Sequence, residues 1–147
     1  MQNNILWAWA LALMILSGMT ACSAPEMDQT LEGRWHLVAY EALDGSWIET
    51  EPEHIARSVW IDCSDKGRRG RFEGQTVTNP IMGNYRLVEA KNIEVYDIAG
   101  TLRGEPVWGD RFWEAMQTSS TFTRDGDVLK LVYDDSTKQM IFNRLDD

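Results

Sequence analysis

Thr121-Phe122-Thr123-Arg124-Asp125-Gly126-Asp127-Val128-Leu129-Lys130-Leu131-Val132-Tyr133 reads as two β-prone runs folded back on each other at Asp125-Gly126. An Asp-Gly step supplies the positive φ that a two-residue hairpin turn of type I′ requires. Downstream, residues 139–144 read as one more strand. Upstream, Glu105-Pro106-Val107-Trp108-Gly109-Asp110-Arg111-Phe112-Trp113-Glu114-Ala115-Met116-Gln117 breaks the β rhythm, with Trp108, Phe112, Ala115 and Met116 at helical spacing. The spacing predicts one short amphipathic helix near residues 106–117. Pro106 suits its first turn, while Gly109 allows a later start with Asp110 as N-cap.

Earlier still, Gly83-Asn84-Tyr85-Arg86-Leu87-Val88 and Ile93-Glu94-Val95-Tyr96-Asp97-Ile98 flank a polar connection and predict a second hairpin. Asn79-Pro80 marks the turn before it, because proline cannot donate to a ladder. Residues 71–78 and 57–62 read as strands, the latter with Val59 and Ile61 facing inward. Between them Asp65-Lys66-Gly67-Arg68-Arg69-Gly70 reads as a basic loop. At the front, Gly33-Arg34-Trp35-His36-Leu37-Val38-Ala39-Tyr40-Glu41 sets Trp35, Leu37 and Ala39 on one face of a strand that ends at Asp44-Gly45-Ser46. Trp47 and Ile48 begin another, stopped by Pro52. The expected fold is therefore mainly β: a small antiparallel β-barrel of about eight strands, closed so that no edge is left exposed.

Before that domain the chain carries an uncharged apolar run, residues 5–16, ending in Leu16-Ser17-Gly18-Met19-Thr20-Ala21-Cys22. Twelve residues are short of the roughly 20 needed to span a bilayer. Small residues before a cysteine suit a secretion signal whose Cys22 takes the lipid. The expected division is a signal peptide over 1–21, a lipidated tether over 22–30 and the β-barrel domain over 31–147. Ser23 follows the cysteine in place of the aspartate associated with inner-membrane retention, so the expected location is the outer membrane, facing the periplasm. With Cys22 lipidated, Cys63 is left as a lone thiol and reads as a small buried core residue. A plain signal cut elsewhere would instead leave Cys22 free to pair with Cys63.

No Asp, Glu, Lys or Arg precedes Cys22, so the 23 acidic and 14 basic residues, and the net charge of −9, all belong to residues 23–147. Such a surface repels phosphate, which argues against nucleic acid and anionic lipid headgroups as partners. Glu105, Asp110 and Glu114 are the one set of acids that could serve an acid-cluster hydrolase, although acids four apart on a helix more often face solvent. The acidic turns at Asp125-Gly126-Asp127 and Asp134-Asp135 lack the EF-hand pattern. His36 and His54, the two histidines, have no metal-ligand spacing. No catalytic residue, metal site or cofactor is expected. Aromatic side chains fill a small barrel or line a pocket for an apolar or sugar ligand, and Trp35, Trp60, Tyr85 and Trp108 are the residues assigned to such a pocket.

From Phe72 onward, the order of Gly74, Asn79, Gly83-Asn84-Tyr85, Ile93, Thr101, Glu105, Phe112, Met116, Phe122, Asp125-Gly126-Asp127, Leu129 and Leu131 resembles the META domain of bacterial heat-shock and envelope lipoproteins. Where META domains commonly carry a Cys-Asn pair, this chain has Val77-Thr78-Asn79. The opening Leu31-Glu32-Gly33-Arg34-Trp35-His36-Leu37-Val38 is similar to the Gly-x-Trp start of lipocalin-like domains. These resemblances imply a small antiparallel barrel with a helix toward its C-terminal side and bring no catalytic residues. The resulting expectation is a membrane-anchored envelope lipoprotein whose barrel is a non-enzymatic binding or interaction module, in envelope maintenance or stress. Its partner would be an apolar small molecule or an envelope protein. The alternatives are a lipocalin-type carrier of a small hydrophobic ligand, the acid-cluster hydrolase, and an inhibitor-like or chaperone-assisting barrel that presents the 65–70 loop.

Overall fold

The computed structural model describes residues 30–146 except 90 and 102, so the leader, Cys22 and most of the tether lie outside the described residues. The elements in chain order are β1 (Gly33–Ala42), β2 (Ile48–Thr50), β3 (Trp60–Lys66), β4 (Arg69–Gln75), β5 (Pro80–Glu89), β6 (Asn92–Gly100), α1 (Val107–Gln117), β7 (Thr121–Asp125), β8 (Val128–Tyr133) and β9 (Lys138–Arg144). The protein is mainly β, with nine strands in one antiparallel sheet and one helix. Sequential strands pair from β3 to β9, and β1 pairs with both β3 and β9, which closes eight strands into a hydrogen-bonded ring. Along the edge of β1 away from β9, β3 covers Gly33 to His36 and the short β2 covers Ala39 to Glu41.

Two turns fall differently from their sequence reading. The 65–70 stretch is mostly strand: Lys66 pairs with Arg69 across a two-residue turn at Gly67-Arg68, with Gly67 at φ +63°. Likewise Asp125 pairs with Val128, so the turn residues are Gly126-Asp127, with the positive φ (+56°) at Gly126 alone. Both are glycine-first turns, which need one left-handed residue where type I′ needs two. In β1 the period-two face shifts phase. Leu37 pairs with Phe142 and Ala39 with Ile141, leaving Val38 as the extra residue of a bulge. Trp35 and Leu37 face inward before it, and Tyr40 and Ala42 are buried after it.

The ring's interior is occupied by the protein's own aromatic rings. Trp35, Tyr40, Phe72, Tyr85, Phe112, Phe122 and Phe142 are each exposed by 2% or less. Gly70 lies directly across from Tyr85. A Cβ there would overlap the Tyr85 ring, so the absent side chain is what lets the tyrosine lie flat on β4.

At one place the ring is thin. β6 meets β7 at the single pair Asn92 and Thr121, while β6 runs on to Gly100. Helix α1 packs against β6 there, with Trp113 lying on Gly100. Its buried face carries Trp108, Phe112, Ala115 and Met116, the residues that the helical spacing singled out. The helix starts at Val107 with Pro106 as N-cap at φ −62°, so the later start at Asp110 is not adopted. Proline is preset to that φ and has no N–H to satisfy.

Candidate functional site

Glu105, Asp110 and Glu114 line one cleft beside α1, of about 390 Å³, together with Asn79, Arg103 and Trp113. Glu105, however, turns to the loop at residues 76–79. Its carboxylate accepts hydrogen bonds from the Thr78 N–H (3.2 Å), the Asn79 N–H (2.9 Å), the Asn79 Nδ2 (2.6 Å) and the Thr76 hydroxyl. Asn79 is wholly buried and makes the other half of the clasp. Its Oδ1 accepts from Thr101 Oγ1 (2.8 Å) and the Arg103 N–H (3.0 Å), and its Nδ2 also donates to the Arg103 carbonyl (2.8 Å). Glu105 and Asn79 thus tie the β4–β5 loop to the segment that leads into α1. Asp110 and Glu114 remain exposed on the helix. The sequence marked Asn79 as a turn residue, and nothing local to it announced four side-chain bonds to a segment more than 20 residues away.

The four aromatic residues expected to line a pocket occupy separate places. Trp35 is in the core, its Nε1 donating to the Leu31 carbonyl at 2.8 Å. Tyr85 is in the core, its hydroxyl donating to Asp65, and burial above all raises its phenol well above the usual range. Trp108 is buried edge-on to Tyr40 with 4.6 Å between ring centroids. Trp60 is half-buried with the Arg34 guanidinium 4.2 Å above its ring. Cys63 is 3% exposed, and burial, reinforced by Asp65 and Asp62, raises its thiol far above the ordinary value. His36 Nε2 lies 2.9 Å from Glu51 Oε2, and His54 is exposed. Among the described residues no group of three His, Cys, Asp or Glu side chains is placed to hold a metal ion.

A second cleft, of about 600 Å³, lies beside α1 and is lined by Trp47, Arg111, Glu114, Gln117, Tyr133 and Lys138 among others. The Arg111 guanidinium sits 4.9 Å from the Tyr40 ring centroid and 5.7 Å from that of Trp47, and it pairs with Glu49. Lys138 Nζ pairs with Asp134 Oδ2 at 2.7 Å. Tyr133 is 4% exposed, yet its hydroxyl has no hydrogen-bond partner among the described residues. Burial raises its pKa, Arg111 opposes the rise, and Asp134, Glu49 and Glu114 add to it. At the rim, Asp134, Asp135 and Ser136 all take positive φ, at 54°, 51° and 64°. Glu114 and Gln117 line both clefts, so the outer face of α1 is their common wall. Trp47, Arg111 and the Tyr133–Lys138 pair of the β8–β9 hairpin come from three separate stretches, which is why sequence reading did not group them.

No family model and no curated protein matches the chain. Two solved structures are similar to it. One is the NMR structure of a protein from Burkholderia xenovorans, 18% identical, with a TM-score of 0.60 over 79% of this chain and 83% of that one. The other is the crystal structure of a DUF4847 family protein from Bacteroides vulgatus, 17% identical, with a TM-score of 0.60 over 78% of this chain and 95% of that one. At such identities, what this chain shares with both is the mainly antiparallel fold with its helix.

Proposed function

We propose that the protein is a lipid-anchored envelope protein, held to a membrane through Cys22, whose ring domain is a non-enzymatic interaction module that recognises its partner on the outer surface around α1. The filled interior carries the recognition half of this reading. Seven large aromatic side chains are buried where an internal ligand would have to sit, and the two clefts that share Glu114 and Gln117 open beside α1. The resemblance of residues 72–131 to META domains of envelope lipoproteins fits the same reading, and so does the uncharged leader ending at Cys22. The net charge of −9 disfavours nucleic acid. For Glu105, the donors gathered on Oε1 hold the carboxylate against the 76–79 loop, which fits a structural role better than an acid or base.

Two measurements test this. Labelled palmitate should enter the wild type and not Cys22→Ser, and equal labelling of both would remove the anchor. A photo-crosslinking residue placed at Gln117 should capture an envelope component in cells, while one at the exposed Arg71 on β4 should not. Capture at neither position, or equally at both, would remove the α1 surface.

A further inference from the structure

The larger cleft has a composition that selects among ligands. Its cations come already neutralised, Arg111 by Glu49 and Lys138 by Asp134. Glu114 adds one more acid to the lining. An anionic ligand would therefore meet no free positive charge, and it would approach a protein of net charge −9. A fatty chain would cover the polar groups of Arg111, Glu114, Gln117, Thr118, Asp134 and Lys138 without offering them a hydrogen bond in return. What remains is a ligand that is uncharged, rich in groups that both donate and accept, and able to cover an aromatic ring.

We infer that this cleft binds an uncharged saccharide, stacked on Trp47 and hydrogen-bonded by Glu114, Gln117, Arg111 and Tyr133. Pyranose hydroxyls donate to carboxylates and accept from amides and guanidinium groups, and the wall offers both kinds. The C–H face of a sugar ring carries partial positive charge and lies well on the negative face of an indole. Trp47 is half-buried with the Arg111 guanidinium over one face of its ring, 5.7 Å from the centroid, so it is fixed before the ligand arrives and the sugar takes the other face. Tyr133 supplies the second, independent observation: a phenol 96% buried whose hydroxyl has no partner among the described residues. Native structures rarely leave such a group unpaired without a reason, and a sugar oxygen is a suitable partner. A cleft of about 600 Å³ is within the range of small-molecule sites.

This inference rests on α1 as the recognition surface and names the ligand class for it. The test is saturation-transfer NMR with a parallel tryptophan-fluorescence titration on the full chain in a non-glycosidic detergent. The probes are N,N′-diacetylchitobiose, cellobiose and maltose, with inorganic phosphate and octanoate as the contrasting ligands. At least one disaccharide should bind. Trp47→Ala should weaken it about tenfold or more, and the double variant Glu114→Ala/Gln117→Ala, which changes two exposed residues, about fivefold. Trp60→Ala should leave it unchanged. Tyr133→Phe separates fold from binding: it should keep or raise the thermal midpoint of the free protein and shrink the ligand-induced shift. Silence from all three sugars, preference for phosphate or octanoate, or full binding by both cleft variants would overturn the inference. A polypeptide crosslinked at Gln117 alongside silent sugars would overturn the saccharide alone, whereas no crosslink and no sugar would overturn the α1 surface as well.

Discussion

Asn79→Ala should cost about 3 kcal/mol of folding stability without touching the hydrophobic core. The side chain makes three neutral hydrogen bonds, to Thr101 Oγ1, the Arg103 N–H and the Arg103 carbonyl, and one to the Glu105 carboxylate. At about 1 kcal/mol for each neutral bond and about 2 for the charged one, the gross loss is roughly 5 kcal/mol. Thr101 and Arg103 are exposed, so water replaces part of what they lose, whereas the wholly buried position of Asn79 itself admits none easily. For a domain of this size, 3 kcal/mol corresponds to a fall in thermal midpoint of roughly 12 °C. Urea unfolding followed by tryptophan fluorescence and far-UV circular dichroism gives the number directly. A loss below about 1 kcal/mol with an unchanged denaturant slope would refute the clasp as a source of stability.

Asn79→Asp sharpens the same point through pH. It sets a second carboxylate where the amide nitrogen now lies 2.6 Å from Glu105 Oε1. Two carboxylates so close do not both ionise readily, so one folded-state pKa rises above its unfolded value. Such a group stabilises the fold while it is protonated and loses that contribution as pH rises through the raised value. Relative to the parent, Asn79→Asp should therefore be less stable at pH 7 than at pH 5, and a flat difference across that window would contradict the geometry.

Ser136→Gly should stabilise the protein by about 0.5–1 kcal/mol in the same urea assay. The left-handed conformation at φ 64° costs a β-carbon residue roughly 1–2 kcal/mol, and the extra freedom of glycine in the unfolded chain returns about half of the gain. Gly70→Ala should cost about 3 kcal/mol, because the new methyl meets the Tyr85 ring. Tyr85→Leu should restore part of that loss, and its failure to do so would place the clash elsewhere. Cys63, buried and with its thiol pushed up, should react with a disulfide reagent only as fast as the protein opens. Fast labelling of the native protein would contradict its place in the core.

The elements of this protein were legible in its sequence wherever their cause is local. Alternation of apolar residues, helical spacing through Trp108, Phe112, Ala115 and Met116, and the fixed φ of Pro106 act within a few residues. They specified the strands, the helix and the antiparallel order. The turns at Gly67 and Gly126 were legible as turns but not in register, because one-residue slips are decided by which strand positions pair. A closed ring was expected from the strand pattern, but its seam of β1 on β9, the bulge at Val38 and the inward turn of Tyr40 came from the tertiary structure, since they depend on residues about 100 positions apart meeting in one register. Glu105 shows the limit most clearly. Its neighbours in sequence made it look like one of three surface acids, yet its carboxylate is claimed by donors 26 to 29 residues earlier. The cleft of Trp47, Arg111, Tyr133 and Lys138 exists only after folding, because a binding surface is a property of distances, and spacing along a chain fixes those only within an element.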